Sequence, residues 1–339
     1  MTTPHALPAA ADRTAARPVV VVGDANVDLV LRGDVIPRFG QAEQLADSGD
    51  LVLGGSASIA AAGVARLGVP TRLVARVGAD AFGTFTLDAL RAAGVDVSAV
   101  EVSHDEPTGL SVVLSTPDDR AILTVAGTIP TLTGSHALAV LDGWDGPPGV
   151  VHVASYFLQP RLAADLPAVL ASARARGWST SLDTNWDPAE RWTGLADLLP
   201  HVDVLLPNRN ELRAVAGALG AGPRDSPSTG DPDVALARAV AARGPRVVVK
   251  DGARGGWSVG PAGAAAHAPG LDVDVVDTTG AGDSFDAGYL AALAHGIEDE
   301  AERVRWAACA GSLSTLGPGG TGAQATLAAL RAALRAALA

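Results

Sequence analysis

Cysteine, methionine and lysine each occur only once in this chain of 339 residues. The lone cysteine, Cys309, excludes an internal disulfide framework and fits a reducing compartment. Its setting, Trp306–Ala307–Ala308–Cys309–Ala310, reads as a buried helix face, so the thiol is core filler rather than a nucleophile. Positive charge is also in short supply. A net charge of −12 argues against nucleic acid and anionic membrane as partners. No apolar run is long enough to span a bilayer. Residues 1–17 are rich in Ala and Pro and lack a sustained apolar core. They are expected to be a disordered tail rather than a signal peptide, which places the protein in the cytoplasm. With 48% hydrophobic residues, the chain can bury one large α/β core or two modest ones.

Of the 25 basic residues, 24 are arginine and the other is Lys250. Where arginine is the default, a single lysine hints at a need for a compact ammonium rather than a planar fork. Chance survival is the competing explanation.

The chain is organised around Asp277–Thr278–Thr279–Gly280–Ala281–Gly282–Asp283–Ser284–Phe285. A β-like run, Leu271–Val276, precedes it, and an apolar helical segment, Ala287–Ala294, follows. A Gly-rich turn at a helix start gathers free backbone N–H groups around one point, which suits a phosphate. Gly280 and Gly282 let an anion approach without a Cβ in the way. Asp283 would repel that anion, so it needs another task. Accepting a proton from an attacking hydroxyl is one; capping the helix is the alternative.

DTTGAGDSFDAGYLAAL closely resembles the C-terminal signature of the ribokinase-like carbohydrate kinases, the phosphofructokinase-B family. The resemblance implies that Gly280, Ala281 and Gly282 form the anion hole and that Asp283 is the catalytic base. It extends over nearly the whole chain with the motifs in family order. Gly23, Asn26 and Asp28 fit a G-x-x-N-x-D pattern whose Asn and Asp hold substrate hydroxyls. By alternation alone, both side chains project to one side of an extended segment, at the strand end where open α/β sheets bind ligands. Gly54 and Gly55 match the family's sugar-facing diglycine. Four residues later the usual asparagine is replaced by Ile59, and Ser56 stands where phosphosugar kinases often carry lysine. Gln159 falls in a region where relatives place a sugar contact.

Pro207–Asn208–Arg209–Asn210–Glu211 matches N-x-x-E, in which Glu211 orients Mg²⁺-bound waters and Asn208 reaches the phosphates. Read without the resemblance, the same residues make a helix capping box. Lys250, Gly252, Arg254 and Gly255 match the K-x-G-x-x-G run beside ATP, with the Lys250 charge against a phosphate. Asp277 and Thr279 border a monovalent-cation site, K⁺, in several relatives.

The implied fold is α/β: a doubly wound, mostly parallel sheet flanked by helices, with a small β lid. One kinase domain would span 18–331, with lid segments near 29–48 and 108–126 and a peripheral helical tail over 332–339. A flexible loop is expected over Gly220–Asp233. The implied reaction is ATP-dependent phosphorylation of a sugar hydroxyl. Lid-mediated homodimers are frequent among relatives. The alternatives are a nucleoside kinase, with Ile59 and Phe39 walling a base, a cyclitol kinase, and a sugar-binding regulator without turnover.

Overall fold

The computed structural model describes residues 16–41, 43–116, 120–221 and 231–337. The expected N-terminal tail, the turn Thr116–Asp119 and the loop Gly220–Asp233 lie wholly or mainly outside these residues. The strands in chain order are β1 (Val19–Val22), β2 (Asn26–Arg32), β3 (Ser48–Gly54), β4 (Thr71–Gly78), β5 (Val100–Ser103), β6 (Gly109–Ser115), β7 (Arg120–Val125), β8 (Val150–Val153), β9 (Ser179–Leu182), β10 (Val204–Leu205), β11 (Arg246–Lys250), β12 (Gly256–Val259) and β13 (Ala265–Ala268).

The larger sheet has the order β13-β12-β11-β10-β9-β8-β1-β4-β5. It is parallel except where β12 and β13 pair antiparallel at one edge. The four valines of β1 are all buried, as a strand covered on both faces requires. Val20 and Val22 feed one apolar layer, while Val19 and Val21 feed the other. That split is the two-residue period of an extended chain. β1 lies between β8 and β4, so the strand order reverses beside it. A crevice opens there at the carboxyl ends of the strands, where such sheets bind ligands.

The smaller sheet has the order β3-β2-β6-β7. Its first strand starts at Asn26, and its partner β3 runs to Gly54. Among the described residues of 33–47 there is no strand, so the lid boundaries differ from those expected. Asn26 and Asp28 therefore stand on the small sheet, not on the end of a large-sheet strand. The strand-forming run Leu29–Val30–Leu31 follows them directly, which is why one strand carries all of them.

Leu271–Val276, expected as a strand, joins no ladder. Its backbone is held by the end of a helix instead: Leu271 N donates to Ser312 Oγ and Val276 N to Thr315 O. The expected boundary at 331 falls inside the helix Leu327–Ala336, whose Leu330 and Leu334 are buried in the core. That helix is thus part of the domain.

The helix Ala281–Ala294 is buried on almost every side. It packs between the helices Ser56–Arg66 and Glu300–Ser314, and small residues set the spacing. A Cβ on Gly288 would lie 2.7 Å from Trp306 O and 2.8 Å from Ala310 Cβ. Gly288→Ala tests this packing. Helix propensity alone would favour alanine by about 1 kcal/mol. Overpacking against a backbone carbonyl costs about 1–3 kcal/mol, so the expected result is a lower urea midpoint. A raised midpoint would show that the helices have room to part.

Candidate active site

Four of the expected acceptor residues converge. Asn26 Nδ2 donates to Asp28 Oδ1 at 2.9 Å. A Cβ on Gly54 would overlap Asp28 Oδ1, and one on Gly55 would lie 2.8 Å from Asn26 Oδ1. The diglycine is therefore what allows these two side chains to sit against the backbone. Burial, reinforced by the neighbouring Asp24, pushes the Asp28 carboxyl up to about 6.

Asp24 was not singled out from the sequence. It accepts from Ser56 N at 3.2 Å and Ala57 N at 2.9 Å. Its carboxylate thus holds the first amides of the helix Ser56–Arg66, a favourable place for negative charge. The bond joins residues more than thirty positions apart, so no local pattern announces it.

Gly280 has a φ of 67° and caps the helix Ala281–Ala294; without a Cβ it takes this left-handed conformation at little cost. Asp283 lies inside the first turn and is not the cap. It is 9% exposed. Burial pushes its carboxyl up to about 8, with Asp183 adding to the shift, Lys250 opposing it and Asp24 adding further. The nearby Ser56 side chain favours the ionised form and pulls the carboxyl partly back down. Asn185 Nδ2 donates to Ser56 Oγ at 3.0 Å. That bond occupies a lone pair of the hydroxyl and leaves its proton for Asp283.

Lys250 does not stand open to an anion. Its Nζ donates to Asp183 at 2.6 Å and to Asp286 at 3.2 Å. Burial alone would lower the ammonium, yet Asp183, Asp286 and Glu211 hold it well above its ordinary value. Burial also works against Asp183, but Lys250 and a hydrogen bond from Asp286 hold it down. Asp286 is pushed well up, first by burial and then by Asp183 and Asp283. These directions together favour an ionised Asp183 beside a charged Lys250, with Asp286 pushed toward its neutral form. Asp183, Asp283 and Asp286 bring carboxylate oxygens within 4.8 Å of one another, and the ammonium already bridges two of them. Asp286 was missed, although two acids three apart in an apolar helix were a readable signal.

A cavity of about 440 Å³ is bordered by Lys250, Gly252, Gly255, Ala281, Gly282 and Phe285; Asp283 follows directly on its Gly282 edge. The backbone of Asn208 forms an isolated parallel bridge with that of Lys250, one of these bordering residues. The capping box is present: Asn208 Oδ1 accepts from Asn210 N and Glu211 N, and Glu211 accepts from Asn208 N at 2.7 Å. Asn208 Oδ1 is thus taken up by the helix cap. Burial, then Asp183, pushes Glu211 up to about 7.

Several expected residues are placed elsewhere. Arg254 pairs with Asp251, is largely exposed and borders a different cavity, with Arg209 and Trp257. Gln159 is fully buried, and its amide donates to the carbonyls of Ala154 and Ser155, so it does not reach the cleft. Ile59 is buried beneath Gly320 while Phe39 is fully exposed, so the two build no wall for a base. Asp277 accepts from Thr279 N and Gly319 N, and also from Arg32. Its charge is met by a guanidinium.

The model of the pfkB family carbohydrate kinases matches residues 16–326. Ribokinase of Bacillus subtilis (strain 168) is 29% identical over 91% of this chain and 97% of its own. Fructokinase of Klebsiella pneumoniae is 31% identical over 88% of this chain and 93% of its own. The structure of Arabidopsis thaliana ribokinase complexed with ribose and ATP is similar with a TM-score of 0.78. It is 27% identical and covers 94% of this chain and 99% of that one.

The charge assignment around Lys250 makes a paired prediction. Lys250→Met leaves Asp183 buried without its counter-charge and costs about 3–5 kcal/mol in urea unfolding at pH 7. Asp286→Asn replaces a neutral acid by a neutral amide and costs under about 1.5 kcal/mol. Equal losses in the two variants would overturn the assignment.

Proposed function

The chain belongs to the pfkB family of carbohydrate kinases, and from that premise we propose that it transfers the γ-phosphoryl group of ATP to a hydroxyl of a small sugar. The observation that carries this reading is the position of Asp283. It follows Gly282, which borders the cavity of about 440 Å³. It also faces Ser56, next to the diglycine that packs on Asn26 and Asp28. Adjacency to both regions is what a base between acceptor and donor needs.

In this reading Asn26 and Asp28 hold acceptor hydroxyls, Asp28 by accepting and Asn26 by accepting or donating. The reacting hydroxyl gives its proton to Asp283 while its oxygen bonds to the terminal phosphorus of ATP, and ADP departs. The Gly280, Ala281 and Gly282 amides, at the positive end of the helix, hold the charge on the transferring group. Ser56 favours the ionised form of Asp283. The small sheet excludes water, a competing acceptor. The Arabidopsis complex with ribose and ATP supports the choice of both substrates.

The Asn208–Glu211 pair fits a magnesium ion held through water. The buried Glu211 carboxyl, raised toward 7 beside Asp183, marks a concentration of negative charge that a cation relieves. When bound, the ion would neutralise phosphate charge. Because Arg32 meets the charge of Asp277, a potassium ion there is not included. A homodimer through the small sheet is included, because the edge strand β7 exposes Ile122, Leu123 and Val125.

ATP turnover against pentoses, hexoses, ketoses, cyclitols and nucleosides tests the reading. At least one sugar is expected to yield ADP and a sugar phosphate; no turnover across the panel would favour a sugar-binding regulator. Asp283→Asn should lower kcat at least about 100-fold and leave the KM for ATP within about twofold. The base acts ionised, so kcat/KM for the sugar should rise with pH through about 8 and level off above it. Ser56→Ala removes a bond that favours the carboxylate and should move that limb to higher pH. A profile flat between pH 6 and 9 would remove Asp283 from the base role.

A further inference from the structure

Arg32 ends β2, the strand that begins with Asn26 and Asp28. Its guanidinium forks. Nη1 donates to Asp50 at 2.6 Å, within the small sheet, and Nη2 donates to Asp277 at 3.1 Å, across to the body of the domain. Asp277 is a junction. Its Oδ1 accepts from Thr279 N at 2.8 Å, and its Oδ2 accepts from Gly319 N at 2.9 Å as well as from Arg32. Thr279 directly precedes Gly280, and a Cβ on Gly280 would lie 2.7 Å from Gly320 Cα. One carboxylate therefore ties the anion-binding turn to the loop that backs it, and Arg32 adds the small sheet as a third member. Arg120 of β7 makes a second contact with the same turn, 3.5 Å to Thr279 Oγ1.

The charges matter as much as the connections. Asp277 lies three residues before Gly280, so its unmet negative charge would oppose an arriving phosphate. Arg32 cancels that charge only while β2 is down on the body. Its side chain is 28% exposed and that of Asp277 15%, so solvent screens the pair incompletely. The fork reaches two partners at once, which a lysine ammonium on a flexible stem does not reproduce.

We propose that Arg32 is a positioning residue, which makes the seating of the acceptor-bearing strand and the ordering of the Thr279–Asp283 turn a single event. It touches neither reacting group. It acts through Asp277, holding the turn in place and removing an opposing charge when the small sheet is seated. The functional half of this proposal rests on the kinase reading above; the structural half does not.

Hydrogen exchange of the full chain without ligand tests the structural half. Arg32→Ala should speed exchange of the amides in 279–283 at least about fivefold, with the amides of β1 and of the helix Glu300–Ser314 unchanged. Arg32→Lys, which keeps the charge, should fall between Ala and the parent. Steady-state kinetics test the functional half. Arg32→Ala should lower kcat about tenfold and raise the KM for the sugar, leave the KM for ATP within about twofold, and release ADP in excess of sugar phosphate. Adding Asp277→Asn to Arg32→Ala should cost no more than the worse single change, as expected for two ends of one contact.

Unchanged exchange over 279–283 overturns the proposal, as does looser exchange with unchanged kinetics, or additive losses in the double variant. Faster exchange throughout the chain would show a general loss of stability and would also count against it. If the parent protein phosphorylates no acceptor while Arg32→Ala still loosens the turn, the kinase reading fails and the tie between the sheets stands.

Discussion

The buried ammonium of Lys250, held between Asp183 and Asp286, is the contact on which the rest of the site depends. It joins the ends of two parallel strands, β9 and β11, to the helix that carries Asp283. A charge taken out of water needs a matched partner, and removing one member strands the other. The pairing fixes where the first turn of that helix lies relative to the sheet. It also moderates the field of the surrounding acids at Asp283, where Lys250 opposes Asp183 and Asp24. A third carboxylate becomes tolerable here because burial and the flanking acids push Asp286 toward its neutral form.

Around this centre the chain arranges two regions with different chemistry. On the small-sheet side, Asn26, Asp28 and the diglycine present hydrogen-bonding groups at close quarters. On the other side, glycines and Phe285 border a cavity of about 440 Å³. Ser56 links them, accepting from Asn185 and facing Asp283. Membership of the carbohydrate-kinase family accounts for the layout.

Much of the scaffold was legible because local rules decide it. Four consecutive valines have one comfortable setting, inside a sheet covered on both faces. Asp80, a short acid directly before the helix Ala81–Ala92, caps it by accepting from Gly83 N. Gly55, Gly68 and Gly94 mark helix ends, with positive φ at each. The diglycine, the Gly280–Gly282 turn and the N-x-x-E pair were readable because spacing along the backbone sets their geometry. Leu271–Val276 was misread because a β-like composition says nothing about whether an edge is free to pair. Gln159 and Arg254 were misplaced because a motif position does not determine which way a side chain turns once a nearer partner, a carbonyl or Asp251, is available.

The α/β class, the Gly280–Gly282 turn at a helix start and the acid beside it were set by the sequence alone, since all three follow from contacts between near neighbours. Tertiary structure alone decided that the single lysine faces carboxylates, that Asp24 holds the amides of a helix more than thirty residues away, and that Arg32 meets Asp277. Those pairs are separated by 67, 33 and 245 positions. The physical reason is that electrostatic energy depends on distance in space and on burial, and neither is encoded in the spacing of letters.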